Sequence, residues 1–113
     1  MDNLDIDRKL AEAMGYSKFE HDVIIRNGHD HAVLMIPDGD SWRYFRPTEE
    51  IHDAWEVFIY FKLDALYRSL NIWVAMRYGN DNLPMVNAES DESAAKAISL
   101  AAMQAIERSK SDD

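Results

Sequence analysis

The sequence predicts an α+β fold, a three-layer α/β/α sandwich with a mostly antiparallel sheet of about three to five strands. Two observations support this prediction. Short apolar runs, bounded by turn residues, have the length and composition of strands, whereas three longer segments repeat apolar residues at helical spacing. Strands that are apolar on both faces need cover on both, so we expect helices on both sides of the sheet. The predicted order is α-β-β-(β)-α-β-β-α.

The first and last helices are predicted from their capping residues. Asp2 or Asn3 can cap a helix that runs to Met14, with Gly15 directly after its end. Near the C-terminus, Ser90 or Asp91 is expected to cap a third helix that continues to about residue 108. The face of this helix is built mainly from alanines, which would allow it to approach its support closely.

The central helix is predicted over residues 47–70, with Thr48 as N-cap and a break near residues 62–64. Its apolar face is expected to contain the residues Ile51, Ala54, Trp55, Phe58 and Ile59, which recur at spacings of three and four. Trp55 and Trp73 are therefore predicted to lie in the core.

The strand predictions start from Asn27-Gly28, which is the strongest short signal for a type I′ hairpin. It separates two apolar runs at 23–25 and 33–36, and a tight turn would pair Arg26 with His29 and Ile24 with His31. Further strands are expected in three places: an edge strand or ordered loop at 41–46, a strand buried on both faces at 72–76, and a short last strand at 85–88.

Length and composition restrict the class of protein. With 113 residues, we expect a single domain over residues 1–113. The absence of cysteine excludes disulfides, thiolate nucleophiles and cysteine-ligated metals. There are 21 acidic and 12 basic residues, and the formal charge of −9 opposes binding to extended nucleic acid and favours cationic partners. Neither a membrane-spanning run nor an export signal is recognisable.

Three stretches together carry a family resemblance: LDIDRKLAEAMGY at 4–16, FRPTEEIHDAWEVF at 45–58, and AESDESAAKAISLAAMQA at 88–105. They resemble the phage ABA-sandwich domain family, and the matching positions are Met14-Gly15-Tyr16, Ala54-Trp55, Ala97-Ile98 and Leu100-Ala101-Ala102. The resemblance implies α/β/α layers and a phage origin, and hence a location in the cytoplasm of the bacterial host. It implies no catalytic residue, because the activity of the family is undefined.

The segment before the central helix is the leading candidate for binding. It interleaves aromatic and cationic side chains: Trp42, Arg43, Tyr44, Phe45 and Arg46. Such a group can stack on a base or hold an anion, so a small nucleotide-like ligand or a host protein is a predicted partner. The alternative is that Trp42 or Phe45 closes the edge of the core.

A weaker candidate is a metal site at His29 and His31. Residues two apart on a strand share a face, so both imidazoles could meet one ion. Histidines beside a hairpin turn are more often solvated, so neither a metal nor a cofactor is predicted.

We therefore predict a non-enzymatic phage accessory protein that binds a host protein or a small molecule, with an anti-defence role as one version. The first alternative is an acidic mimic of nucleic acid that inhibits a host nucleic-acid-binding protein. The second is a metal-dependent hydrolase that uses His29 and His31. Neither a membrane nor extended nucleic acid is an expected partner.

A homodimer is also predicted. Tyr60, Phe61 and Tyr67 add aromatic area that a small sheet with thin layers cannot cover, and exposed apolar patches mark interfaces. We expect two-fold symmetry, with contact through the central-helix face or the 41–46 segment. Alternatively, the tyrosines lie flat on the surface with their hydroxyls in water.

Overall fold

The computed structural model describes the backbone of residues 1–111 and the side chains of residues 1–109. The elements in chain order are α1 (Asn3–Ala13), β1 (Glu20–Arg26), β2 (His29–Asp38), β3 (Ser41–Tyr44), α2 (Ile51–Tyr60), β4 (Ala65–Ser69), β5 (Ile72–Arg77), β6 (Val86–Ser90) and α3 (Ala94–Ser111). The predicted α+β class is confirmed, and all strand pairs in the described part of the chain are antiparallel.

The strands form two three-stranded sheets, β1-β2-β3 and β4-β5-β6, where one sheet was expected. The first sheet contains the predicted hairpin, with Arg26 opposite His29 and Ile24 opposite His31. Asn27 and Gly28 have φ values of 54° and 78°, which is the left-handed geometry that a type I′ turn requires at both central positions. The strands divide because α2 separates β3 from β4, so each half of the chain completes its own meander.

The predicted break near residues 62–64 is confirmed, whereas the prediction that the helix continues to residue 70 is wrong. The helix ends at Tyr60, and Lys62 follows with a φ of 56°. Asp64 then donates its N–H to the carbonyl of Met76 at 2.9 Å, which starts the pairing of β4 with β5. The segment ALYRS has helical propensity, but a neighbouring strand supplies ladder hydrogen bonds, and tertiary pairing overrides local preference.

Two predicted helix caps are also wrong. Thr48 does not cap α2, which begins at Ile51, and its N–H instead donates to Asp7 of α1. The cap of α3 is Ser93, whose hydroxyl accepts from the N–H of Lys96 at 3.0 Å. Ser90, one of the two expected caps, accepts from Glu92 in the preceding turn.

The core lies where α3 packs against β5 and β6, with α1 and α2 also in contact with α3. Buried apolar side chains from both sheets and all three helices form one cluster. Its largest fully buried members are Leu10, Leu34, Ile36, Phe45, Val57, Val86 and Ile98. The alanines of α3 allow this helix to serve as the shared support, because small side chains permit close approach on more than one side.

The central helix turns only part of the predicted face to the core: Ala54 is buried and Phe58 packs against the core. Its buried residues are Asp53, Ala54 and Val57. Trp55, predicted to be in the core, is 42% exposed. Ile51 and Ile59 of the same predicted face are also exposed, at 39% and 74%. The covered side of α2 therefore includes one carboxylate, and an apolar stripe remains in solvent. Trp73, the other predicted core tryptophan, is half-buried and packs against the core.

The buried strand predicted at 72–76 is buried only in its middle. Val74 and Ala75 point to opposite faces of β5 and are 5% and 0% exposed, but Ile72 is 38% exposed. In the first sheet, Val23 and Ile25 are 59% and 76% exposed, because the β1–β2 hairpin extends beyond the helices.

Candidate functional site

A pocket of about 510 Å³ lies between the start of α1, one edge of β2 and the β3–α2 connection. We call it the polar pocket and define it by the lining residues Asp7, Asp30, Ala32, Arg46, Glu49 and Lys96. Elements from both ends of the chain meet here, and charged side chains dominate the lining.

Asp7 is the most unusual group in the polar pocket. It occupies the inward face of α1, one turn before Leu10 and Ala11, and is 4% exposed. Its Oδ1 accepts a 3.0 Å hydrogen bond from the N–H of Thr48. Burial raises the pKa of Asp7 to about 7, although the hydrogen bond from the Thr48 N–H opposes the shift. The carboxyl of Asp7 therefore takes up or releases its proton near neutral pH and not in the acidic range usual for aspartate.

The hydroxyl of Thr48 lies beside the Asp7 carboxyl. Thr48 is 2% exposed, and its Oγ1 is close enough to help lower the pKa of Asp7 but makes no hydrogen bond of good geometry to any described residue. Native proteins rarely leave a buried hydroxyl without a hydrogen bond, and the Asp7 carboxyl is the nearest acceptor for it. Asp7 and Thr48 together thus form a buried polar pair between α1 and the turn before α2.

Glu49 joins several cationic and polar side chains. It accepts from Arg46, from Asn3 at 3.3 Å and from Arg26 at 2.9 Å. Burial alone would raise the pKa of Glu49, but the hydrogen bonds from Arg46 and Asn3 and the nearby cations lower it overall. Asn3 in turn accepts from Lys96. The network holds Glu49 ionised and keeps the positive charge of Arg46 neutralised.

The edge of β2 that borders the polar pocket carries no neighbouring strand among the described residues. β3 pairs only with residues 35–38, and the N–H of Phe45 donates to the carbonyl of Leu34 at 2.9 Å just beyond. Alternate residues direct their backbone groups to the same edge, so Asp30 and Ala32 face this side as well. Their N–H and C=O groups have no backbone partner among residues 1–111.

The five predicted binding residues do not form one surface. Arg46 lines the polar pocket, whereas Trp42 and Tyr44 share one face of β3 and are 40% and 43% exposed. Phe45, which was predicted to contact a ligand, has its ring completely buried in the core, as the alternative interpretation expected. Alternation along the strand separates these residues, and Arg43 points with Phe45 toward α2.

Arg43 and Tyr44 already have acidic partners. Arg43 binds Asp53 at 3.2 Å and Glu56 at 2.9 Å, so its positive charge stabilises the contact between β3 and α2. The hydroxyl of Tyr44 donates to Asp22 at 2.6 Å, and this bond lowers the pKa of Asp22.

His29 and His31 share a face of β2 as predicted, and both are exposed. His31 lines the polar pocket. Within the part of the chain that the structure describes, no group of three or more His, Asp or Glu side chains is arranged to hold a metal ion.

The three predicted interface aromatics fall in two places. Tyr60 and Phe61 stand together at the end of α2 with ring centroids 5.1 Å apart, and Tyr60 donates to the carbonyl of Ala13. Tyr67 lies on β4, in the other half of the fold, and is 46% exposed.

Reasoning from the sequence missed the roles of Asp7 and Lys96. The sequence contains one signal for Asp7. It precedes the apolar Leu10 and Ala11 by three and four residues, and this spacing places all three side chains on the same, inward face of a helix. Lys96 had no comparable signal, since its contact with Asn3 joins residues 93 positions apart.

Two antiparallel sheets around three helices, with a strongly acidic composition and a charged pocket at an open strand edge, define a small α+β sandwich domain. The family model described as phage ABA sandwich domain matches residues 8–103. The chain therefore belongs to the phage ABA sandwich domain family, which confirms the resemblance seen in its three sequence stretches. Among curated proteins, no sequence matches the chain significantly. None of the helices within residues 1–111 has the length and apolar character needed to cross a membrane.

Proposed function

We propose that this protein is a non-enzymatic phage accessory protein that binds a basic, extended segment of a host protein along the open edge of β2. The observation that carries the proposal is the backbone of Asp30 and Ala32, which has no partner among the described residues and lies beside the polar pocket. An exposed strand edge accepts an added strand through main-chain hydrogen bonds, and adjacent pockets then select its side chains.

Charge favours a basic segment. The lining of the polar pocket contains Asp7, Asp30 and Glu49 against Arg46 and Lys96. Arg46 is bound to Glu49, so it does not repel an incoming cation as a free arginine would. A lysine or arginine of the partner can reach the pocket, where the carboxylates of Asp7, Asp30 and Glu49 line the wall.

The charge of the whole domain acts in the same direction. At −9, it attracts a basic partner from a distance and accelerates encounter, an effect that salt weakens. In the cytoplasm of the bacterial host, occupation of a basic segment would block that segment's own contacts. More specifically, the host protein would be a defence protein, and this protein would inhibit it.

The experiment compares two proline variants of the same sheet. Ala32→Pro removes an N–H from the open edge of β2, and an edge position tolerates proline. Ile25→Pro is the matched control. Residues 22, 24 and 26 bond to β2, so Ile25 directs its N–H to the far edge of β1.

Binding is measured by fluorescence anisotropy with a labelled peptide that alternates lysine and valine, and with its glutamate counterpart. We expect the lysine peptide to bind, and Ala32→Pro to weaken this binding by about tenfold or more, since main-chain hydrogen bonds to the added strand are lost. Ile25→Pro should keep the affinity of the unmodified protein. Equal losses in both variants, or equal binding of the glutamate peptide, would contradict the proposal.

A further inference from the structure

A second cavity of about 540 Å³ lies between the end of α2, the loop before β6 and the second half of α3. We call it the Arg77 cavity. Its walls are mainly apolar and include Tyr60, Phe61, Leu83 and Ile106. Of the side chains that the structure describes, the charged ones lining it are Lys62 and Arg77. Among the described residues no acidic side chain lines it, although acidic residues outnumber basic ones by 21 to 12 in the whole chain.

The guanidinium of Arg77 is buried, and no carboxylate among residues 1–109 pairs with it. Arg77 is 5% exposed. Its Nε and Nη2 donate to the carbonyl of Pro84 at 3.1 and 2.8 Å, and its Nη1 donates to the carbonyl of Phe61 at 2.9 Å. Neutral carbonyls thus hold the group in position, and the described side chains supply no negative charge to neutralise it.

The guanidinium also has unused donors. Arginine carries five N–H groups, and the three hydrogen bonds to carbonyls leave two of them without a partner in the part of the chain that the structure describes. A buried charge is costly unless it is paired, so an anion that enters the cavity would be stabilised. Arginine binds carboxylates well, because the planar fork matches two carboxylate oxygens.

We propose that the Arg77 cavity is a binding site for a small carboxylic acid with an apolar body. The carboxylate contacts the free N–H groups of Arg77, Lys62 adds a second positive charge, and the aromatic and aliphatic walls enclose the body of the ligand. The cavity volume lies within the range of about 300–1,000 Å³ that is usual for small-molecule sites. This site is separate from the polar pocket and does not depend on the function proposed for it.

The direct test is a titration of the ¹⁵N-labelled protein followed by NMR. Octanoate and 3-phenylpropionate are the probes, and the matched neutral alcohols, octan-1-ol and 3-phenylpropan-1-ol, are the controls. We expect the acids to shift the Nε–Hε signal of Arg77 and the amide signal of Phe61 with saturation below about 1 mM. The alcohols should bind at least about tenfold more weakly, because they lack the charge-assisted contact.

A pair of variants that are isosteric with each other tests the role of charge without disturbing Arg77, whose replacement could unfold the chain. Ile106→Glu places a carboxylate in the same cavity, and Ile106→Gln is a control of equal size without charge. We expect Ile106→Glu to reduce octanoate affinity by about tenfold more than Ile106→Gln and to give the higher Tm of the two.

Three results would overturn the proposal. One is the absence of a saturable shift of the Arg77 signal up to about 10 mM acid, because weaker binding than this is not specific recognition. Another is equal affinity for each acid and its alcohol, and the third is an equal loss of affinity in Ile106→Glu and Ile106→Gln.

Discussion

The N–H of Thr48 donates a 3.0 Å hydrogen bond to Oδ1 of Asp7, which joins residues 41 positions apart. The bond connects α1 to the turn before α2 and places a carboxyl group in a nearly solvent-free position. The surrounding charges are Glu49, which further raises the pKa of Asp7, and Arg46, which lowers it. Burial of this carboxyl raises its pKa and therefore couples the stability of the fold to pH.

The stability of the protein should fall as the pH rises from about 4 to 7. The pKa of an aspartate in an unfolded chain is ordinarily near 3.8, whereas that of Asp7 in the folded protein is about 7. Between these two pKa values, the folded state therefore holds a proton that the unfolded state releases. The stabilisation that this proton gives is complete only below the pKa of the unfolded chain. The free energy of unfolding falls by at most about 1.4 kcal/mol per pH unit.

Asp7→Asn should remove this dependence, because the amide keeps an acceptor for Thr48 and does not ionise. Urea unfolding at a series of pH values measures the slope, with Asp5→Asn on the exposed side of α1 as control. We expect the substitution at position 7 to flatten the curve and to increase stability at pH 8. An unchanged slope would contradict the role of Asp7.

Asp53 should contribute more to stability than Glu56, although Arg43 binds both. Asp53 also accepts the N–H of Arg46 at 2.8 Å and is 9% exposed, so its loss leaves two donors unsatisfied at a partly buried site. Asp53→Ala should cost about 2–3 kcal/mol. Glu56→Ala removes an exposed partner and should cost less than about 1 kcal/mol. Equal losses of unfolding free energy in the two variants, measured by chemical denaturation, would refute this ranking.

Ser93 should determine the start of α3. Its hydroxyl accepts from the N–H of Lys96, so Ser93→Ala is expected to cost about 1 kcal/mol. Ser93→Asp is the matched control, since aspartate caps equally well and its charge favours the N-terminal end of the helix dipole. The prediction fails if thermal unfolding shows that Ala and Asp have the same effect.

The homodimer prediction now has a more specific surface. Ile51, Trp55 and Ile59 form an exposed stripe along α2, at 39%, 42% and 74% exposure. Two such stripes can pair about a two-fold axis, so we expect light scattering to give twice the chain mass of 13.1 kDa. Salt screens the repulsion between two chains of charge −9 over about 8–10 Å.

Trp55→Glu should convert the dimer to a monomer. Leu70→Glu is the control, because Leu70 is 91% exposed but lies at the β4–β5 turn, away from the stripe. A mass of 13.1 kDa that does not change with protein or salt concentration would rule out the dimer. Dissociation by both substitutions would show that added charge, rather than the stripe, is responsible.

The elements that the sequence predicted correctly depend on short-range signals. Asn27-Gly28 specifies both the turn and the register of the β1–β2 hairpin, because few residues adopt positive φ at two successive positions. The cap at Asp2 and the glycine at position 15 mark the ends of α1 within about one residue. The family resemblance likewise came from local stretches that combine caps and helix faces.

Tertiary structure decided the rest. Residues 65–69 form a strand because β5 offers them a ladder, and Trp55 is exposed because α3 packs against a different side of α2. The pairing of Asp7 with Thr48 and the burial of Arg77 against two carbonyls bring together residues that are not neighbours in the chain. Local propensity and periodicity are properties of neighbouring residues, whereas these features depend on which distant groups fold against them.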